Sequence, residues 1–172
     1  MLNPRTSALL CCLVGGLLWR CPSLRAGVVG YWRFEEGAPN VAASGANSVL
    51  DSSVHGLDGT PINGPVYDAN VPLFGNVSPN LLSMEFDGSS QRVFVADSAS
   101  LQLTHSLTIE AFIMARPLLG SEIGGNILFR GDDRIGLDPY RLTLQFTGDL
   151  LFQVVDASGQ FASVSARVPF NQ

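Results

Sequence analysis

The chain contains no lysine and only three cysteines, which all lie near its amino terminus: Cys11, Cys12 and Cys21. It contains only two histidines, His55 and His105, and neither accompanies a Gly-x-Ser-x-Gly nucleophile elbow. No segment after the amino-terminal region has the 3.6-residue period of an amphipathic helix. These absences argue against a disulfide framework, a cysteine metal site and a nucleophilic cysteine in the body of the chain.

Residues Met1 to Ala26 have the features of a secretory signal peptide. Arg5 precedes an apolar run from Ala8 to Trp19, and the segment ends in the small residue Ala26. A membrane-spanning helix needs about 20 apolar residues, so this run is too short to favour an uncleaved anchor, the alternative interpretation. We therefore predict a signal peptide over residues 1–26 and one domain over residues 27–172. The domain would be secreted or extracytoplasmic, with no membrane span after cleavage.

The charge balance limits the class of partner. The whole chain has 10 arginines and 15 acidic residues. Three of the arginines (Arg5, Arg20 and Arg25) lie in the predicted signal peptide, which leaves 7 positive against 15 negative groups, a balance of −8. An acidic surface argues against nucleic acid or an anionic membrane as the partner.

The remaining sequence predicts an all-β fold. In the segment from Leu107 to Ala115, apolar residues alternate in the period of two that is typical of a strand, and both faces carry apolar groups. Shorter apolar runs separated by turn signals predict further strands. These are Val28–Phe34, Met84–Phe86, Arg92–Val95, Asn126–Phe129, Arg141–Phe146, Leu150–Val155 and Phe161–Val164. By contrast, Asn40–Gly64 is expected to be a long ordered loop, and Pro65–Pro79 an irregular stretch.

Four blocks of sequence resemble, in order and spacing, the laminin-G-like, concanavalin A-like domains. They are GYWRFEEG followed by Leu50-Asp51-Ser52-Ser53, MEFDGSSQRVFV from Met84, SLTIEAFIMARP from Ser106, and NILFRG from Asn126. The resemblance covers Val28 to Gln172 and implies a two-sheet antiparallel jelly-roll sandwich. Members of that family continue past the segment that matches VPFNQ, so the resemblance also implies that the last strands are missing.

The sequence offers little support for catalysis. Glycoside hydrolases of the same fold class need two carboxylates that face each other across the cleaved bond. The nearest pattern is Glu85-Phe86-Asp87, but Asp87 belongs to a turn with Gly88, while Glu110 has no acidic neighbour at strand spacing. We therefore predict that the domain is not an enzyme.

The resemblance implies a possible calcium ion at the rim of the sandwich, and the candidate ligands are Asp51 and Asp87. Loop carboxylates are the oxygen ligands that calcium prefers. The alternative is that each aspartate stabilises its own turn through backbone hydrogen bonds.

The predicted function is recognition of glycans or of extracellular proteins, and it is based on the resemblance. The candidate ligand-binding residues are Trp32, Tyr140 and Arg141, because exposed aromatic and planar polar groups suit sugar faces. Two alternatives remain open. One is a carbohydrate-active enzyme or its accessory domain, and the other is a structural fragment without a ligand of its own.

Overall fold

The computed structural model describes residues 27–72, 80–103, 106–115, 125–131 and 139–168. The predicted signal peptide lies outside these residues. Eight strands are present in the described part of the chain. They are β1 (Gly59–Ile62), β2 (Val66–Asp68), β3 (Ser83–Glu85), β4 (Arg92–Val95), β5 (Gly125–Arg130), β6 (Tyr140–Leu144), β7 (Asp149–Val155) and β8 (Phe161–Arg167). The described helical structure is one turn of 3-10 helix, Ala99–Leu101, so the predicted all-β class is confirmed.

Strands β5, β6, β7 and β8 form an antiparallel sheet in sequence order. Short turns join β6 to β7 and β7 to β8. Gly148 and Gly159 both adopt positive φ, which glycine tolerates without a steric penalty. In the second turn, Asp156 accepts hydrogen bonds from the backbone N–H groups of Ser158 and Gln160. The strands predicted from the apolar runs from Asn126 onward are therefore confirmed, with boundaries that differ by at most three residues.

The first four strands form an interrupted ribbon. Strand β1 pairs with β4, and β2 pairs with β3, both antiparallel. Between the two ladders, Asn63 and Gly64 adopt positive φ and break the extended backbone. The side chain of Gln91, which directly precedes β4, donates to the carbonyl groups of both residues and so ties the end of the β3–β4 loop to this break. Strands β1 and β2 occupy segments for which the sequence predicted loop or irregular structure, so that prediction is wrong.

Two predicted strands are absent from the described structure. Residues 106–115 form no strand, and Phe112 in this segment is 77% exposed. Alternation identifies a segment that could be extended, but it does not by itself specify regular strand pairing. In the segment from Val28 to Phe34, Trp32 makes an isolated bridge to Asp51. Phe34 has a φ of 61°, which ends extended structure there.

Buried apolar side chains of the described residues lie both in the first half of the chain, where Val49 is fully buried, and in the four-stranded sheet. Ala43, Tyr67 and Leu82 are buried together, and Phe34 and Met84 pack against them. In the four-stranded sheet, β6 supplies three more buried apolar residues, which are Tyr140, Leu142 and Leu144. The described residues include no helix long and apolar enough to cross a membrane.

Candidate functional site

The register of the four-stranded sheet separates its side chains into a polar face and an apolar face. Paired residues in an antiparallel sheet project to the same side, and successive residues project to opposite sides. The polar face, as we use the term, carries Asn126, Arg141, Thr143, Asp149, Gln153, Ser163, Ser165 and Arg167, together with the apolar residues Phe129, Leu151, Val155 and Phe161. The apolar face carries Leu128, Tyr140, Leu142, Leu144, Leu150, Phe152, Val154, Ala162, Val164 and Ala166, with Arg130 as its charged member.

Arg141 and Gln153 form the centre of the polar face. Nε and Nη2 of Arg141 donate to Oε1 of Gln153 over 2.9 and 2.6 Å. The two residues are direct cross-strand partners on β6 and β7, and both side chains are half-buried. Charge-assisted hydrogen bonds of this kind hold both planar groups in fixed positions. The arrangement therefore presents a guanidinium group and an amide side by side.

Further polar groups extend this pair across the sheet. Thr143 donates from Oγ1 to Oδ1 of Asn126 over 2.8 Å, which joins β6 to β5. On the far side, Ser163 of β8 stands opposite Gln153 and is exposed. Thr143 is buried, whereas Asn126 and Ser163 are exposed, and their amide and hydroxyl groups can each donate to and accept from a ligand.

Phe161 lies at one end of β8 on the same face. Its partner across the sheet is Val155, and its side chain is 71% exposed. An aromatic ring in contact with water carries a large apolar surface that a ligand can cover. The polar face therefore combines planar hydrogen-bonding groups with one open ring.

Tyr140, although adjacent to Arg141 in sequence, belongs to the apolar face. It is only 5% exposed, and its hydroxyl donates to the carbonyl of Leu101 over 3.0 Å. The guanidinium of Arg130 lies over the ring, 5.8 Å from its centre. Burial raises the pKa of the Tyr140 hydroxyl. Because Tyr140 and Arg141 project from opposite faces, they cannot line one site, and of these two residues Arg141 is the one that lies on the polar face.

Trp32 supports a loop. Its Nε1 donates to the carbonyl of Leu57 over 2.9 Å, and the ring covers Gly30 so closely that a Cβ there would overlap it. Its backbone bridges to Asp51, away from the four-stranded sheet. The side chain is half-buried, so the structure ties Trp32 to the loop of Asp51 and does not unite it with Arg141.

The carboxylate of Asp51 organises this loop. Oδ1 accepts from the backbone N–H groups of Tyr31 and Ser53, each over 2.8 Å. Oδ2 accepts from Ser53 Oγ over 2.7 Å and from the N–H of Leu57 over 2.8 Å. Burial acts to raise the pKa of Asp51, but the four hydrogen bonds, led by that from Ser53 Oγ, outweigh it and lower the pKa to about 2.

Asp87 has the same role in the loop between β3 and β4. Its Oδ1 accepts the backbone N–H groups of Gln91, Ser89 and Ser90 over 2.9 to 3.0 Å, while Oδ2 accepts from Ser90 Oγ. These bonds, with that from Gln91 the strongest influence, lower the pKa of Asp87 to about 2. Without the Asp87 carboxylate, these N–H and O–H donors in the loop between β3 and β4 would have to bond to water.

The donor sets around Asp51 and Asp87 do not fit a calcium ion. A carboxylate offers about four lone-pair positions, and those of Asp51 are all taken by N–H and O–H donors. Calcium needs six to eight oxygen ligands. Among the residues that the structure describes, no three acidic or histidine side chains gather as a metal-binding group would require. The geometry supports the alternative that these aspartates stabilise turns.

A shallow pocket of about 230 Å³ lies between the Asp51 loop and the end of β4. Its polar lining includes Asn47, Asp58 and Asp97. Oδ1 of Asp58 accepts the backbone N–H of Asp51, and Asp97 forms a 2.7 Å ion pair with Arg130. Both carboxylates therefore serve the fold, and the polar face of the sheet remains the stronger candidate site.

Reasoning from the sequence named Arg141 but missed Gln153, Asn126 and Phe161. The sequence did indicate that one face of this strand is polar, since Arg141 and Thr143 alternate with Leu142 and Leu144. What the sequence could not supply was the register that places Gln153 opposite Arg141. Comparison with known proteins found no matching family model, no matching curated protein and no matching solved structure.

Proposed function

We propose that this chain is a secreted, non-catalytic recognition module that binds glycans or extracellular proteins through the polar face of its four-stranded sheet. We assign it to the laminin-G-like, concanavalin A-like domains, and we propose that it adopts their two-sheet jelly-roll sandwich. Two observations support the assignment. Blocks of sequence between Val28 and Gln172 resemble that family, and the strands of the described residues are antiparallel, with one turn of 3-10 helix among them.

The Arg141–Gln153 pair is the observation that carries this proposal. It holds two planar polar groups at the centre of the face, between Phe129 of β5 and the hydroxyl of Ser163, while the amide of Asn126 lies opposite Thr143. Sugar hydroxyls donate and accept in the same way as these groups, and Phe161 adds a ring for the apolar side of a sugar. Glycans are therefore the ligand class that the face fits best.

The alternative to binding alone is catalysis. Hydrolysis of a glycosidic bond requires an acid and a second carboxylate about 5–10 Å apart. On the described part of the polar face the carboxylate is Asp149, which accepts from Thr147 Oγ1 and lies 3.4 Å from Arg167. This supports binding without cleavage. We do not assign calcium a part in binding, because Asp51 and Asp87 are occupied by turn hydrogen bonds.

A glycan array probed with the labelled chain tests the proposal, with the bound glycans then incubated in solution to detect cleavage. We expect retention of a defined set of glycans and no release of product. The variant Arg141→Ala should lose this binding. Arg92→Ala, which removes the same charge from an exposed position on β4, should keep it. Product release would instead identify a carbohydrate-active enzyme, and retention of neither glycans nor extracellular proteins would favour a structural fragment.

A further inference from the structure

Strand β8 forms an open edge of the four-stranded sheet. It pairs with β7 on one side, and no strand of the described residues pairs with its other side. All seven of its residues are exposed, and Val164 at its centre is 65% exposed. An open edge presents unpaired N–H and C=O groups that can accept another strand.

The hairpin geometry identifies which backbone groups of β8 point outward. Val168 donates to the carbonyl of Gly148, and Asp156 donates to that of Gln160, so both pairs are of the hydrogen-bonded type. Hydrogen-bonded and non-hydrogen-bonded pairs alternate along an antiparallel ladder. Ala162, Val164 and Ala166 therefore bond to β7. The outward-pointing backbone groups belong to the residues between and beside them, which are Phe161, Ser163, Ser165 and Arg167.

The strand lacks the features that commonly protect an edge. Its sequence, Phe-Ala-Ser-Val-Ser-Ala-Arg, contains no proline, and its one charged residue, Arg167, stands at the end. The strand also pairs with β7 in unbroken register, without the bulge that would twist the edge away. It is therefore suited to accept a partner strand.

We propose that β8 pairs with β8 of a second copy of this chain, antiparallel and centred on Val164, to form a symmetric dimer. The sequence of β8 reads almost the same in both directions from Val164. In this register Ala162 faces Ala166 of the partner copy, and Ser163 faces Ser165 of the partner copy.

The charges and hydrogen bonds fit the same register. Arg167 faces the ring of Phe161 from the other copy, so no like charges stand opposite each other. All four residues with outward-pointing backbone groups acquire partners, and the central pair, Val164 with Val164, is of the non-hydrogen-bonded type. The seven residues of each edge are paired along their full length.

The dimer has a defined geometry. The two-fold axis runs perpendicular to the sheet, so two four-stranded sheets join into a continuous sheet of eight strands. Residues opposite each other project to the same side, which places the polar faces of both copies on one side. If that face binds glycans as proposed above, the dimer is bivalent and gains avidity for repeating ligands. The dimer itself does not depend on that function.

A cysteine at the centre of the strand tests the register. In a background with Cys11, Cys12 and Cys21 replaced by serine, the variant Val164→Cys should form a disulfide-linked dimer under mild oxidation. The Cα atoms of such a pair would be about 4.5 Å apart. Ala162→Cys is the control, because its two copies would be separated by at least about 13 Å along the strand. Equal cross-linking of both variants, or of neither, would overturn the proposed register.

A charge pair tests the interface without oxidation. The double variant Ser163→Lys/Ser165→Lys places like charges opposite each other twice, and sedimentation equilibrium should report the monomer mass. The matched variant Ser163→Lys/Ser165→Glu places opposite charges there and should retain the dimer mass. Circular dichroism on both variants checks that the strands remain. A wild-type chain that is monomeric across a dilution series, or that pairs only with a different protein, would overturn the proposal.

Discussion

Arg141 donates two hydrogen bonds, from Nε and Nη2, to the single atom Oε1 of Gln153 on the neighbouring strand. This pair links the fold to the proposed function, since the register of β6 and β7 that holds the sheet together also places the two planar groups side by side. The same register sends Tyr140, one residue earlier, to the opposite face and into the core.

Replacement of Arg141 by lysine should separate positioning from charge. Lysine keeps the positive charge but lacks the planar group that can make both hydrogen bonds to Gln153. We expect glycan affinity to fall about tenfold or more, which is the loss of about 1.4 kcal/mol of binding free energy. Titration calorimetry measures the affinity, and Arg92→Lys is the control. Unchanged affinity in Arg141→Lys would show that charge alone is used.

Asp51→Asn should lower the free energy of unfolding by about 1.5–3 kcal/mol, the typical range for hydrogen bonds to a charged group. The amide retains one acceptor oxygen and places an NH₂ group against N–H donors that the carboxylate accepted. Urea unfolding measures the change. Asp68→Asn is the control, since Asp68 accepts one hydrogen bond of this kind, from the N–H of Asn70. An equal effect of both substitutions would contradict the organising role of Asp51.

Stability should fall as the pH is lowered from about 4 to about 2. The pKa of Asp51 and that of Asp87 are about 2 in the folded chain, below the ordinary value of 3.8. A group with a lowered folded-state pKa stabilises the fold above its unfolded pKa, and this contribution is lost as pH falls through the folded value. Thermal unfolding across this range should show the decline, and Asp51→Asn should make it shallower. A slope unaffected by that substitution would count against the assignment.

Gly37→Ala should be destabilising by about 1–3 kcal/mol, the usual cost of an overpacked core. A Cβ at Gly37 would overlap the ring of Tyr67, which is buried among Ala43 and Leu82 and has little room to move. Gly125→Ala is the matched control, because a Cβ there meets no described atom within 4 Å. Chemical unfolding of the two variants compares them, and equal stabilities would show that the core around Tyr67 is loosely packed.

Addition of calcium should leave the backbone amides around Asp51 and Asp87 unchanged. The N–H groups of Leu57 and Gln91 donate directly to these carboxylates, so a metal ion that displaced them would shift their NMR resonances. We expect no shift at these two positions in a calcium titration. Saturable shifts there would restore the aspartates as calcium ligands.

Much of the fold could be predicted from the sequence because turn chemistry and alternation are local signals. Asp156-Ala157-Ser158-Gly159 predicted the turn that joins β7 to β8, and the structure has it. Residues 106–115 have the strongest alternation but form no strand, since pairing depends on a partner that no local pattern specifies. Strand β1, by contrast, forms although its sequence does not favour a strand. The sequence Gly-Thr-Pro-Ile has weak strand propensity, yet it pairs with β4 along its whole length.

The candidate site was only partly predictable for the same reason. Residue type pointed to Arg141, but its partner Gln153 is 12 positions away and becomes a neighbour only through the β6–β7 register. Residue type also pointed to Tyr140, although alternation along a strand sends Tyr140 to the face opposite Arg141. The roles of Asp51 and Asp87 depend on backbone N–H groups, whose positions a sequence does not show.

An NMR titration of the labelled chain with a glycan that it retains tests the central claim most directly. The account predicts that amide and side-chain shifts concentrate at Arg141, Gln153 and Ser163 on the polar face, with little change at Leu142 and Val154 on the other. Shifts confined to the apolar face, or to the loop that holds Trp32 and Asp51, would contradict it.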